Sequence, residues 1–437
     1  MVLFAALLAV TAPGPKPVFY KDVLPILQQR CQQCHRPGEI GPMPLLSWQQ
    51  ARPWAKAIRE AVLTRKMPPW FADPRFGHFA NDRRLSKTEI DTIVSWADHG
   101  APEGDPKDSP PPRNWPEGWN IGKPDKVLEM AHDFDVAAKG AIDYQYIILP
   151  TGFTEDKWIQ RVEVRPSARD AVHHAVVYIR PAGSDWLKGR PVNTPFSFDS
   201  GPDHRPNPMA FTKNDILLVY TPGNGMDSWP QGMAKKIPAG ADLVLQMHYT
   251  ANGKPKKDRT KIGIVFANGR PAKAVYTLQL NNDRFVIPPG DSDYKVEAAG
   301  TLPNDALLLS LFPHMHLRGK GFEYMTAAPG GRVDVLLKVN NFDFHWQLNY
   351  KLAQPMPLAA GTRLIADGYF DNSVNNPLNP DPTAEVHYGE QSWDEMMIGF
   401  FDVAVDSRLS KADYFVRKPA SATTSSQTMK SPSPSRQ

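Results

Sequence analysis

The stretch APEGDPKDSPPPRNWPEGWNIGKPD, Ala101 to Asp125, divides the chain into two textures that do not belong to one fold. Each proline removes a backbone donor and fixes φ, so a run this dense in proline and charge neither continues a helix nor enters a sheet; it reads as extended and semi-rigid. Before it, apolar residues recur at helical spacing. After it, short runs such as AVHHAVVYIR, ADLVLQMHYT, ALLLSLF and TRLIADGYF alternate with Gly, Pro and Asn turns, the pattern of β-sandwich strands. With 437 residues, three domains are a fair expectation, and 41% hydrophobic content suffices for packed cores. The expected class is multidomain α plus all-β: a small helical domain over 17–106, a linker over 107–125, and two β-sandwich domains over 126–272 and 273–417.

In the helical part, Ser86-Lys87-Thr88-Glu89 is a capping box. It leads into Ile90, Ile93, Val94 and Ala97 on one face, with Gly100 as the stop. Trp54, Ile58, Ala61 and Val62 repeat at the same spacing.

The chain's two cysteines both lie in RCQQCHRPG, Arg30 to Gly38. Cys-x-x-Cys-His is the attachment signature of c-type haem, with Cys31 and Cys34 bonded to the vinyl groups and His35 as the first axial ligand. A zinc site needs further soft ligands, and no other cysteine exists. A thioredoxin-like dithiol opens a helix after a strand, whereas VLPILQQR before the motif reads as helix. Met67, in RKMPPW, is the expected sixth ligand because a thioether opposite histidine is a common pairing; Met43 is the runner-up, only eight residues from His35. The segment resembles bacterial cytochrome c domains that end in W-x-x-x-G-A-P, here WADHGAP. With both cysteines assigned to one haem c, no disulfide is expected.

The opening VLFAALLAV followed by TAPGPKP resembles the apolar core and small-residue end of an export signal over 1–16, without the usual preceding basic residue. Haem attachment outside the bacterial cytoplasmic membrane makes a periplasmic or secreted protein the expectation. No apolar run approaches the roughly 20 residues of a stable membrane span. A net charge of +4 gives no reason to expect nucleic acid, and GKPKKDRTK reads as a solvated loop. Residues 418–437 lack anything to bury and read as a disordered tail.

Of twelve histidines, five fall in three β-type runs. His314 and His316, in LFPHMHLRGK, sit at i and i+2, so both imidazoles leave one face of a strand and can clamp an ion. His173 and His174 are adjacent and point to opposite faces of a regular strand, so sharing a metal requires a bulge or a strand end. His248, in LVLQMHYT, is the third nitrogen of that set. Without a free cysteine, thiolate-bound copper is excluded. Three imidazoles suit zinc with an open fourth position, and a methionine beside a histidine pair shifts preference towards copper(I), because a thioether is soft.

Four motifs, in order, give the β region a family likeness: HHAVVY, LQMHY, HMHLRGK and D-E-M at Asp394 to Met396. On these it resembles the copper type II, ascorbate-dependent monooxygenases, which include the peptidylglycine α-hydroxylating and dopamine β-monooxygenases. The resemblance implies two jelly-roll-like sandwiches and two copper ions. His173, His174 and His248 would hold an electron-storing copper; His314, His316 and Met396 would hold the oxygen-binding copper and be the catalytic set. Met397, standing where the animal enzymes usually have cysteine, is the fallback ligand. His345 and His387 match no family ligand and read as structural, with His387 near enough to Met396 to be a pocket residue. The animal enzymes are braced by disulfides, which this chain cannot form. Phe312 stands where the peptide-amidating members place an arginine, which argues against substrates ending in carboxylate. The implied function is O2-dependent hydroxylation of a C–H bond in a small organic substrate, with electrons from ascorbate or a redox protein relayed through the haem. A non-catalytic haem and copper protein that transfers electrons or binds copper is the alternative. Zinc hydrolase chemistry at the three-histidine set ranks third.

Overall fold

A computed structural model describes residues 16–116, 118–198 and 215–411. Nearly all of the expected export segment, and the tail over 418–437, lie outside the described residues. Among the described residues, no helix is long and apolar enough to cross a membrane.

The N-terminal part is helical. A π-type turn, Phe19–Val23, runs into the helix Leu24–Arg30; Ala55–Leu63 and Lys87–Asp98 complete the bundle. The last of these begins at the expected capping box, with the Ser86 side chain accepting from Glu89 N–H and Glu89 accepting from Ser86 N–H. Phe19, Leu27, Ile58, Val62, Ile93 and Trp96 bury their side chains together as its core.

The rest is β-rich and built on one large sheet that runs through both halves. One half contains Lys126–Glu129, Lys261–Phe266, Lys157–Arg165 and Met233–Ile237; the other contains Lys273–Asn282, Met397–Asp406, Ala306–His314 and Tyr350–Leu358. They join where Lys273–Asn282 pairs in parallel with Met233–Ile237, Lys273 opposite Met233 and Ala274 opposite Ala234. The divide expected near residue 272 therefore falls inside a continuous sheet. Each half carries a smaller antiparallel sheet. Gln145–Pro150, Asp242–Tyr249, Val172–Arg180 and Asp215–Tyr220 cover the first; Tyr294–Thr301, Arg363–Phe370, Gly319–Ala327 and Val333–Val339 cover the second.

Side-chain alternation then fixes what meets what. Ala175, Val177 and Ile179 face the large sheet in the first core, while Val176 and Tyr178 face the other way. Met397, Phe401, Val403 and Val405 face the second core, while Ile398 and Phe400 face out of it. The two outward faces pack on each other through Val176, Tyr178, Val244, Phe312, Ile398 and Phe400. This third core lies between the sandwiches.

The helical part is fastened to both halves. Trp70, Ala72 and Phe79 bury themselves in the second core, with Ala72 bridged to Val339 and Phe79 to Leu352. Glu39 is paired with Arg36, Arg165 and Arg169, tying the helical part to the first half. The expected linker packs as a strap: Arg36 lies over Trp115 and donates to Asn120, whose own N–H donates to Glu163.

Candidate metal and cofactor centre

His174 and His248 are cross-strand partners on the face that looks towards the other sandwich. The register shifts between Val172 and His174, leaving His173 as the extra residue of a bulge. That irregularity is what adjacent histidines need in order to converge. The three ring centroids lie 5.4 Å (His173 to His174), 5.2 Å (His173 to His248) and 4.9 Å (His174 to His248) apart. One nitrogen from each ring falls within 4.8 Å of the others, so this group could hold a metal ion.

The hydrogen bonds indicate which nitrogens are free. His173 Nε2–H donates to the Phe344 carbonyl at 3.0 Å. The Tyr144 hydroxyl lies 3.2 Å from His174 Nε2, and Ser392 Oγ lies 3.5 Å from His248 Nε2. On the opposite side of the rings, His173 Nδ1 faces His174 Nδ1 at 3.1 Å, and the buried His248 Nδ1 has no partner. Nδ1 of each ring is thus left for a cation, with Nε2 held by an outer partner. Burial, reinforced by neighbouring imidazoles, holds His173 and His174 well below the usual value and His248 at about 4. All three are neutral near pH 7, the form that ligates metal.

His314 closes the strand Ala306–His314, and His316 follows two residues on, its ring centroid 5.2 Å away. His314 Nδ1–H donates to Gln347 Oε1 at 2.6 Å, and the ring of His316 is buried with the Asp394 backbone facing it. Met396, just ahead of the strand Met397–Asp406, shares the outward face with Ile398 and Phe400 and lines a cavity of about 20 Å³ with His174, His314, Phe312 and Glu390. Met397 points the opposite way into the second core. Glu395, fully buried, accepts from the N–H groups of His316 at 2.8 Å and Arg318 at 2.6 Å, pinning the H-x-H segment. The two trios meet across the third core, with the rings of His174 and His314 5.6 Å apart.

The Cys-x-x-Cys-His segment lies on the other side of His173. A cavity of about 320 Å³ is walled by Cys31, Cys34, His35 and Met67 from the helical part and by His173, Phe344, His345 and Trp346 from the β part. No disulfide joins the two cysteines, and burial pushes the Cys31 thiol up to about 12. His35 Nδ1–H donates to the Met43 carbonyl at 3.1 Å, leaving Nε2 free. Gly41 permits this wrap: a Cβ there would stand 2.8 Å from His35 Nδ1. Met43 itself packs on the helical core, whereas Met67 lines the cavity.

Two histidines read as structural behave differently. His345 lines this cavity, its ring 6.3 Å from that of His173. His387 is exposed and paired with Glu385 at 3.0 Å, away from the Met396 cavity. Sequence reasoning missed Phe344, Gln347, Glu390 and Glu395. For Glu395 a signal existed, its place inside D-E-M, and Glu390 lies on the same loop; Phe344 and Gln347 are brought in by a segment distant in the chain.

No family model matches this chain, and no curated protein does. Loose likenesses to solved structures exist. PNGF-II aligns at 11% identity over 64% of this chain and 66% of that one, just under two thirds of its length, with a TM-score of 0.28. The major capsid protein P2 of bacteriophage PM2 aligns at 10% identity over 57% of this chain and 99% of that one, TM-score 0.23. Allantoicase from Saccharomyces cerevisiae aligns at 7% identity over 61% and 80%, TM-score 0.16. Alignments this loose say nothing about function.

Proposed function

We propose that this protein is a copper-dependent monooxygenase that hydroxylates a C–H bond of a small organic substrate with O2, drawing electrons through its own c-type haem. The observation that carries the reading is a shared wall: His173 lines the same cavity as Cys31, Cys34 and His35. In this reading Cys31 and Cys34 would hold the haem covalently, and His35 Nε2 and Met67 would ligate its iron. One copper would be held by His173, His174 and His248, and the other by His314, His316 and Met396. When bound, the haem supplies single electrons and the copper ions supply electron storage and O2 activation.

The chain's own residues do the rest. Phe344 fixes His173 through its carbonyl, and Gln347 fixes His314 through its amide oxygen. Glu395 holds the backbone of His316 and Arg318. Phe312 presents an apolar wall to the His314 side and offers no charge for a substrate carboxylate. The donor is ascorbate or a redox protein outside the cytoplasmic membrane.

Metal and haem quantitation, combined with anaerobic reduction and then O2 exposure, tests the reading. One haem and two coppers per chain, with haem reoxidation that requires copper, is the expected outcome. Reoxidation at the same rate without copper overturns the relay. One observation favours a second reading, a haem and copper electron-transfer protein without hydroxylation: the cavity beside His314 and Met396, at about 20 Å³, is the size of a water or dioxygen rather than of an organic substrate.

A further inference from the structure

The same small cavity contains a carboxyl group that nothing above uses. Glu390 lines it together with His174, His314 and Met396, and its buried Oε1 has no hydrogen-bond partner. The loop that carries it is tightly held. Gly389 N–H donates to the Glu395 carbonyl at 3.0 Å, Glu395 N–H to the His387 carbonyl at 3.1 Å, and Asp394 N–H to the Gln391 carbonyl at 3.0 Å. Gly389 is required there, since a Cβ would fall 2.2 Å from Asp394 Oδ2. One loop thus delivers Ser392 to His248, Glu390 to the cavity, and Met396 to the His314 side.

Reduction of O2 at this place needs protons as well as electrons. The groups facing Glu390 are Tyr144, Tyr146, Tyr178 and Tyr388, with Asp394 on its own loop and His174 and His314 across the cavity. The tyrosines are pushed upward, mainly by burial, and hold their protons. The two imidazoles are buried and assigned to metal. No lysine or arginine lines the cavity among the described residues. A buried carboxyl whose Oε1 has no partner, with Asp394 beside it, is costly to leave charged, so Glu390 is the group in this lining suited to hold a proton and give it up.

We infer that Glu390 is the proton donor to dioxygen at the His314, His316 and Met396 site. The inference rests on the oxygen-using reading above. For hydroxylation the balance is O2 + R–H + 2e⁻ + 2H⁺ → R–OH + H2O; without organic substrate it is O2 + 2e⁻ + 2H⁺ → H2O2. The electrons come from an external one-electron donor. One of the protons leaves the Glu390 carboxyl, and solvent returns it between turnovers.

The test uses full-length protein carrying haem and copper, with ascorbate as reductant and no organic substrate. Glu390→Gln should keep its copper and its anaerobic reduction by ascorbate. Its O2 uptake should fall at least about tenfold, within the usual range for a general acid. Wild-type uptake should decline as pH rises, because the donor must be protonated, and Glu390→Gln should lack that limb. Glu390→Asp should retain the limb at an intermediate rate. In metal-free protein at pH 6, a protonated-carboxyl infrared band should be lost in Glu390→Gln. Unchanged uptake and pH profile in Glu390→Gln, loss of copper from it, a missing infrared difference, or a Glu390→Asp variant as slow as Glu390→Gln overturns the donor role. Copper-loaded wild-type protein that takes up no O2 overturns the oxygen-using reading itself, and the donor role with it.

Discussion

Phe344 lies with its ring stacked on His173, centroids 4.1 Å apart and planes 22° from parallel, while its carbonyl accepts from that same imidazole at 3.0 Å. The ring also approaches His316 edge-on at 6.4 Å, and the side chain lines the cavity shared with Cys34 and His35. Phe344 therefore touches the proposed haem site and both histidine sets. Phe344→Leu keeps the backbone carbonyl and most of the burial, so copper content should be unchanged and stability should fall by about 1 kcal/mol. Electron transfer from reduced haem to copper, followed by rapid mixing without O2, should slow. An unaltered rate rules out a contribution from the ring.

Gln347 is the second fixture of that segment. Its Oε1 accepts from His314 Nδ1–H at 2.6 Å. Gln347→Ala leaves a buried N–H without an acceptor, which costs about 1–3 kcal/mol. It also frees the ring to turn, and loss of such an outer partner typically weakens metal binding about 10–100-fold. Copper titration of the metal-free protein checks this; affinity equal to wild type contradicts it.

The helix Lys87–Asp98 was legible because its capping box and apolar stripe are local. The strands around His173, His248 and His314 were legible for the same reason: each carries its period in fewer than a dozen residues. Even the bulge at His173 could be stated as a condition, since two adjacent side chains diverge without one. The meeting of the histidine sets was not legible. It depends on which outward faces pack together, and so on the parallel pairing of Lys273 with Met233, which no local pattern encodes. The place of His345 was not legible for a related reason: its neighbour His173 is distant in sequence, and only the packing of the helical part against both sandwiches creates the cavity they share.

The two methionines that follow Glu395 separate by face. Met396 lines the cavity beside His314, and Met397 is fully buried in the second core. Met396→Leu conserves volume and should cost less than about 1.5 kcal/mol, while one copper per chain is lost or weakened because the soft sulfur is gone. Met397→Ala should do the reverse, destabilising by about 2–5 kcal/mol with copper content intact. Paired melting curves and metal analysis distinguish them. The opposite pattern would move the ligand to Met397.

Acid should destabilise the metal-free protein. His173, His174, His248, His314 and His316 are all held below the ordinary value of 6.5, chiefly by burial, with His248 and His314 at about 4. A group depressed on folding contributes stability that is present above its unfolded value and lost as pH falls through its folded one, so these five weaken the fold from about pH 6.5 downward. Two carboxyls act in the other direction. Glu390, raised to about 7, and Glu395, raised to about 8, contribute stability that is fully present below 4.5 and lost as pH climbs through those values. Five imidazoles against two carboxyls leave a net loss on acidification. The melting temperature of metal-free protein should therefore drop by several degrees between pH 7 and pH 5, a change of roughly 2–4 °C per kcal/mol for a chain above 150 residues. Replacing His248 with Gln should make the drop shallower, because one of the five protonation penalties is gone. A melting temperature that holds steady or rises over that interval would show that the imidazoles are not buried neutral.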